Sequence, residues 1–310
     1  MLGSGVLVVG ESLVDITGTE AIAHPGGSPL NVAVGLARLG QCTTLATQLG
    51  DDAYGDVVSA HLAASGAGLV RLAPVRPTGS ATVRVDADGQ AAYRFNLRWD
   101  PEPLELPEGH DLLHVGSLGS TLAPGADTVA QLVGDARRAG VAVSVDPNVR
   151  PTLTPDVSDV RRRVLHLAGL AQVVKLSEDD AAVLFPGRTA DDVLGDLLAA
   201  GPDLVALTRG SAGAQLATAS ARTQVTARRL RVVDTIGAGD SFMAALLAVL
   251  REQGWTLDRL DAADLAEVGG FACRAAGMTC GRRGADPPRR SELPGSSGSA
   301  LSGQRSYPGR

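Results

Sequence analysis

Short β-branched runs alternate with helical patterns along most of the chain, and this alternation restricts the possible folds more than any other feature. The runs "VLVVG" (6–10), "TTLATQLG" (43–50), "LLHVG" (112–116), "VAVSVD" (141–146), "QVVKLS" (172–177) and "DLVALT" (203–208) read as buried strands. Helical patterns lie near 29–39, 53–65, 125–139, 157–168, 178–185 and 190–200. Such a chain is expected to form an α/β fold: a mostly parallel central sheet flanked by helices on both faces. Ligands in sheets of this kind sit beyond the carboxyl ends of the strands, so chemistry is sought in the glycine-rich stretches that follow them. One segment breaks the alternation: "SATVRVDADGQAAYRFNL" (80–97) is two period-2 runs around "DADG", a hairpin signature. It predicts a small β-rich lid over one end of the main sheet.

The domain is expected to occupy 1–288, with residues of about 76–104 contributing to the lid. The Ser/Gly/Pro-rich stretch 289–310 has no apolar periodicity and reads as a disordered tail. The formal charge of −6 argues against a nucleic-acid or anionic-membrane partner. Cys42, Cys273 and Cys280 show neither CxxC nor disulfide-framework spacing, which suits a reducing cytoplasm. The N-terminal apolar run is too short, and lacks the basic flank, for a signal peptide. A soluble cytoplasmic protein is expected.

"DTIGAGDSF" (234–242) joins a strand-like run to an amphipathic helix whose stripe is Phe242, Leu246, Val249 and Leu250. The first amides of that helix have no intrahelical partner and carry the positive end of the dipole. With Gly237, Ala238 and Gly239 free of bulk, they can converge on an anion. A carboxylate there, Asp240, makes sense if it faces a neutral hydroxyl while the amides hold a phosphate. The bland alternative is a helix N-terminal aspartate following a flexible turn.

"PGGSPLNVAVGLARLG" (25–40) offers Ser28 as N-cap, Pro29 at the first helical position and Gly40 as a stop. Gly26 and Gly27 permit close approach of a small ligand, and Asn31 lies on the first turn. Glu11 and Asp15, in "GESLVDIT", are carboxylates suited to vicinal hydroxyls. "LTRGSAGAQL" (207–216) reads T-x-G-x-x-G after another strand and could line a nucleotide phosphate. No GxxxxGK[ST] occurs, and Lys175, the only lysine, lies in "VVKLSED" and follows no glycine loop, so a P-loop is excluded. No GxGxxG with a downstream acid is present. "HDLLH" (110–114) mimics a zinc HxxxH but leads into a strand, where the two histidines are not helical neighbours.

Taken together, "GGSPLNVAVGLARLG" and "DTIGAGDSF" resemble the N- and C-terminal signatures of the ribokinase-like (PfkB-type) carbohydrate kinases, in the right order and separation. The resemblance covers roughly residues 5–288. It implies an α/β core with a β-sheet lid, ATP-dependent phosphorylation of a sugar hydroxyl, Mg2+ as cofactor, K+ in some members, and homodimerisation through the lid as a family habit. Position by position, it implies Asp240 as base and Gly237, Ala238 and Gly239 as anion hole. Asp15, Gly27 and Asn31 match sugar-contacting positions, and Gly26 adjoins them. Thr208, Gly210 and Gly213 match part of the nucleotide site. Asp234 matches a monovalent-cation position. The family's NxxE element corresponds to "SEDD". There Ser177 lacks asparagine's amide donor, and Asp180, one methylene shorter than glutamate, would meet Mg2+ through water. Lys175 stands two residues before it, among the nucleotide-side candidates. Cys273 replaces a nucleotide-contacting asparagine.

"GESLVDIT", "YRFNLRWDPEP" (93–103) and "SVDPNVRP" (144–151) look most like bacterial fructokinases and 2-keto-3-deoxygluconate kinases. On that likeness Tyr93, Phe95 and Arg150 are pocket candidates; Tyr93 and Phe95 share parity on a strand. Fructose, giving fructose 6-phosphate, is the leading acceptor. Ketodeoxygluconate is the alternative, with Arg150, Arg94 or Arg98 for its carboxylate. An alternative from another class is a catalytically silent sugar-binding regulator, against which the intact "GAGD" argues.

Overall fold

The alternation resolves into one large sheet covered on both faces and a smaller sheet at one end. The computed structural model describes residues 5–17, 22–85, 91–227, 230–255 and 257–293, with side chains of 17, 83–85 and 91–93 outside the description. The chain opens with β1 (Gly5–Val9), β2 (Leu13–Thr17), β3 (Ile22–Gly26), α1 (Ser28–Arg38), β4 (Thr43–Thr47), α2 (Ala53–Ser65) and β5 (Gly68–Arg71). The hairpin β6 (Gly79–Val85) and β7 (Ala91–Asn96) follows, then β8 (His110–Gly116), α3 (Ser117–Thr121), α4 (Gly125–Arg138) and β9 (Ala142–Asp146). Next come α5 (Val157–Ala168), β10 (Val173–Ser177), α6 (Glu178–Leu184), α7 (Ala190–Ala200), β11 (Leu204–Thr208), β12 (Ala214–Ala217) and β13 (Arg222–Val225). Helices α8 (Ala238–Glu252) and α9 (Ala262–Cys280) close the fold.

The large sheet has the order β13-β12-β11-β10-β9-β8-β1-β4-β5. It is parallel from β5 to β11, while β12 and β13 are antiparallel at the edge. All five residues of β1 are buried, as a central parallel strand covered on both faces requires. Residues of opposite parity feed two cores. Val6, Val8 and Val173 pack under α1, α8 and α9, whereas Leu7, Val9 and Val174 pack with α4, α5 and α7. The chain leaves β1 toward β4 on one side and returns with β8 on the other, so the direction of winding reverses between β1 and β8. That crevice is where ligands are expected in an open α/β sheet.

The smaller sheet, ordered β3-β2-β6-β7, contains the expected hairpin. It also holds two strands that the sequence did not announce. "LVDIT", read as loop past the first strand, is β2, so Asp15 is a lid residue. Across this sheet His24, Asp15, Ala81 and Phe95 occupy one register row. The lid turn at 86–90 lies outside the described residues.

Helix α8 is buried along its whole length from Asp240 to Leu250, between α1 and α9. Its contact with α1 is close: a Cβ on Gly35 would stand 2.7 Å from that of Ala244. Glycine at 35 thus lets the two helices approach and brings their N-termini together. Among the described residues no helix is long and apolar enough to cross a membrane.

Leu293, inside the stretch read as tail, is 4% exposed and belongs to the core beside α8 and α9. Arg282 and Arg290 reach Glu292 and Glu252 around it. The packed domain therefore runs at least to Leu293; 294–310 lie outside the described residues. Leu293→Ala should lower the unfolding free energy by about 2–3 kcal/mol, measured as a shift in the denaturant midpoint at constant slope.

Candidate active site

Gly237 caps α8 with φ of 72°, a left-handed conformation that favours glycine. The Ala238 amide is turned back toward the Thr235 carbonyl at 3.3 Å, while Gly239 and Asp240 stand in the first turn, where amides have no intrahelical acceptor. Asp240, 7% exposed, is gripped from α1: Ser28 Oγ donates to Oδ1 at 2.6 Å and Asn31 Nδ2 donates to Oδ2 at 2.8 Å. Both oxygens are thereby oriented by a neighbouring helix terminus. This corrects two readings. Gly27, and not Ser28, is the N-cap of α1, because the Ser28 hydroxyl is given to Asp240. Asn31 acts first as the second clamp on the carboxylate.

Beneath this mouth lies a buried ion pair. Lys175 Nζ, on β10, meets Asp146 Oδ2, on β9, at 2.9 Å; the two residues are 3% and 0% exposed. The ammonium points at α8, 3.0 Å from where a Cβ on Gly239 would lie. Burial opposes the Lys175 charge, but Asp146, Asp180 and Asp240 outweigh it and hold its pKa above the ordinary lysine value. Burial pushes Asp146 up to about 6, with Lys175 resisting, so the pair is ionised at neutral pH. Asp146 Oδ1 is buried without a hydrogen-bond partner. Asp146 is a site residue that sequence reasoning missed. Its only signals were its place at the end of a strand and the polarity of "SVDPN".

Ser177 and Asp180 are brought together, but for structure. The Ser177 hydroxyl and amide both donate to Asp180 Oδ2, and the Asp180 amide returns to Ser177 Oγ, a capping box on α6. Asp180 Oδ1 accepts from the Val149 amide at 2.7 Å. Oδ2 is taken by both Ser177 donors and Oδ1 by one amide, so Asp180 is first of all the capping residue of α6. Asp234 is similarly occupied, accepting from the amides of Ile236 and Gly284 at 3.0 and 2.9 Å. Burial raises its pKa, and those amide bonds outweigh it and bring the value below the ordinary one. Asp234 ties the loop at 284 to the approach to α8.

On the other side of Asp240, Asp15 covers Gly26: a Cβ there would fall 2.3 Å from Asp15 Oδ2. Burial raises the Asp15 pKa, against the charges of His24 and Arg150. Glu11 is 2% exposed, and burial pushes it to about 7 against hydrogen bonds from Ser117 and Gly119 and the Arg150 charge. Arg150, exposed and braced on the carbonyls of Asn148 and Val149, thus attracts both carboxylates. Phe95 is half-buried on the lid row of Asp15; the Tyr93 side chain lies outside the description.

At the far end, Thr208 and Ser177 pair across β10 and β11, with Gly210 just beyond. Gly213 has a structural reason to be glycine: its φ is +92°, and a Cβ would lie 1.9 Å from the Val225 carbonyl oxygen. Cys273 is half-buried against the α8–α9 core, and burial raises its thiol to about 11, so it behaves as a small apolar group. His110 and His114 lie on one strand, with His114 buried against Ser144 Oγ at 3.0 Å. Among the described residues no cluster of three or more acidic, histidine or cysteine side chains could hold a metal.

Known proteins share this plan. A family model described as "pfkB family carbohydrate kinase" matches residues 6–292. A fructokinase of Klebsiella pneumoniae is 33% identical over 264 residues, covering 80% of this chain and 85% of its own. The crystal structure of a fructokinase with bound ATP from Xylella fastidiosa superposes with a TM-score of 0.81 at 27% identity, covering 94% of this chain and 95% of the other. A Vibrio cholerae O395 fructokinase solved with fructose, ADP and calcium ion gives 0.78 at 25% identity, covering 92% and 95%. With a family match across nearly the whole described fold and Asp240 set between two helix N-termini, the chain belongs to the pfkB family of carbohydrate kinases.

Proposed function

We propose that the protein transfers the terminal phosphoryl group of ATP to the primary hydroxyl of fructose, giving fructose 6-phosphate and ADP. The observation that carries this reading is the clamping of Asp240 by Ser28 and Asn31 at the mouth of the glycine-capped helix α8. The hydroxyl oxygen attacks the γ-phosphorus, the P–O bond to the β-phosphate breaks, and Asp240 accepts the hydroxyl proton. In a loose transition state that proton moves late, so a carboxylate suffices as base. The Gly237–Gly239 backbone faces charge developing on the transferred phosphoryl. The Lys175 ammonium, buried 3.0 Å from the Gly239 Cβ position, adds positive potential from beneath.

Magnesium, when bound with the nucleotide, neutralises phosphate charge. The residues present fit a magnesium that keeps its waters and rides on the nucleotide. Asp180 Oδ1, which accepts one amide, and Asp146 Oδ1, which has no partner, are the acceptors that would take a metal-bound water.

The competing sugar acid would need a free arginine for its carboxylate; Arg98 is bound to Asp100 at 2.8 Å, which leaves Arg94 and Arg150 for that role. A silent sugar sensor would have no use for an aligned base beside an anion hole.

A coupled ADP-release screen over fructose, ketodeoxygluconate, ribose and nucleosides should give its largest rate with fructose; a larger rate with the sugar acid would reassign the substrate. In the same assay Asp240→Asn should cut turnover by about a thousandfold or more while sugar binding by calorimetry persists. Ser28→Ala, which removes one of the two donors that aim the carboxylate, should lower kcat by about tenfold with little change in either KM.

A further inference from the structure

Glu11 stands in the crevice between β1 and β8, where the winding of the large sheet reverses. Its Oε2 accepts the Gly119 amide of α3 at 2.6 Å, and the same peptide unit's neighbour, the Gly119 carbonyl, accepts Trp99 Nε1 at 3.0 Å. Trp99 is 2% exposed, and its own carbonyl accepts the Gly125 amide at 3.1 Å. The contact admits no side chain at 119: a Cβ there would lie 2.6 Å from Gly10 Cα. Gly10–Ser12 is the segment by which the chain enters the lid, from β1 to β2. Trp99 lies in the segment by which it leaves, from β7 to β8. One glycine residue therefore joins the first of the lid's two entries to the last of its two exits.

The joint also reaches the base. The Glu11 carbonyl oxygen backs Gly27, where a Cβ would lie 2.8 Å away. Gly27 caps α1, whose Ser28 and Asn31 hold Asp240. Asp15 follows Glu11 by four residues on β2 and covers Gly26. Everything hung on Glu11 is on the acceptor side of the site; β10, β11 and α9, on the nucleotide side, are not part of this chain of contacts.

We propose that Glu11 is a positioning residue: through Gly119 and Trp99 it fixes two of the lid's four connections, the first entry and the last exit, relative to α1, and so sets the geometry of the sugar pocket without touching the nucleotide. The inference rests on the sugar-kinase reading, and its test is a set of ratios to wild type on whichever sugar wild type turns over fastest. A wrong choice of sugar thus changes the assay and leaves the ratios intact.

Glu11→Ala and Trp99→Phe should each raise the sugar KM by about tenfold, the scale of one buried hydrogen bond, while the ATP KM changes by less than about twofold. Because both act through Gly119, the double variant should be no worse than the worse single one. Glu11→Gln keeps an acceptor for the Gly119 amide and should restore the sugar KM. Equal rises in both KM values, independent multiplication of the two effects, or a Glu11→Gln variant as impaired as Glu11→Ala would overturn the proposal.

A pH profile gives a readout that survives if Glu11→Ala does not fold. Burial raises Glu11 above its unfolded value, with Arg150 the charge that faces it and the Ser117 hydroxyl and Gly119 amide its donors. The fold then binds a proton that the unfolded chain has released, so stability falls as pH rises through the window between about 4.5 and about 7. Glu11→Gln should flatten this fall relative to wild type, the shares of Asp15 and Asp146 being common to both; an unchanged slope would show that Glu11 is not held in the crevice.

Discussion

The site depends on one contact, the grip of α1 on the carboxylate that opens α8. Neither helix terminus is informative alone, since an N-terminal aspartate and an N-terminal serine are ordinary features. Brought face to face, they convert an exposed acid into one with both oxygens aimed, at 2.6 and 2.8 Å from their donors. The rest of the fold serves that approach. Gly35 removes the bulk that would separate the helices, and the all-round burial of α8 leaves it no freedom to roll. The parallel strands deliver both helix starts to the same edge.

The buried pair below follows from the same geometry. A lysine at 175 with no partner would lose its charge to desolvation, and an aspartate at 146 alone would take up a proton. Placed on adjacent strands, each keeps the other ionised, and the ammonium lies beneath the first turn of α8, beside Gly239. Such a pair adds little to stability, because its Coulomb attraction is spent against desolvation. Its value is positional. A fixed positive charge in a region closed to water acts on an incoming phosphate more strongly than a surface lysine could.

How far the sequence could be read follows from what each feature rests on. The six apolar runs and the helices between them came through within about three residues, because burial on both faces leaves a run of β-branched residues no other use. Asp240 and its glycines were legible because the motif is local. What the sequence hid were relations between distant segments. β2 and β3 are short and only partly apolar, and they make sense only once β2 pairs with β3 on one side and, on the other, with the hairpin some sixty residues later. Ser28 looked like a cap because nothing in "GGSPLN" reveals a carboxylate 212 residues away. Ser177 and Asp180 matched a family position by spacing, yet the shorter acid folds back on its serine and caps α6. Asp146 was missed because a buried strand-end acid carries no periodic or motif signal; only its neighbour on β10 gives it meaning.

The two sides of the site are built with different mechanical freedom. The nucleotide side is assembled from strands and helices that belong to one continuous sheet and its core, so its parts hold one another in place. The acceptor side is a second four-stranded sheet that carries Asp15 and rests on α2 through β2 and β3. A kinase needs this asymmetry, since water must be kept from the phosphoryl group only while the sugar is present. But a loosely hung sheet would also misplace the sugar by the ångström or so that costs rate. Committing the amide of Gly119 to the first segment that enters the lid and its carbonyl to the last that leaves it answers that conflict, because it restrains two of the lid's four attachment points.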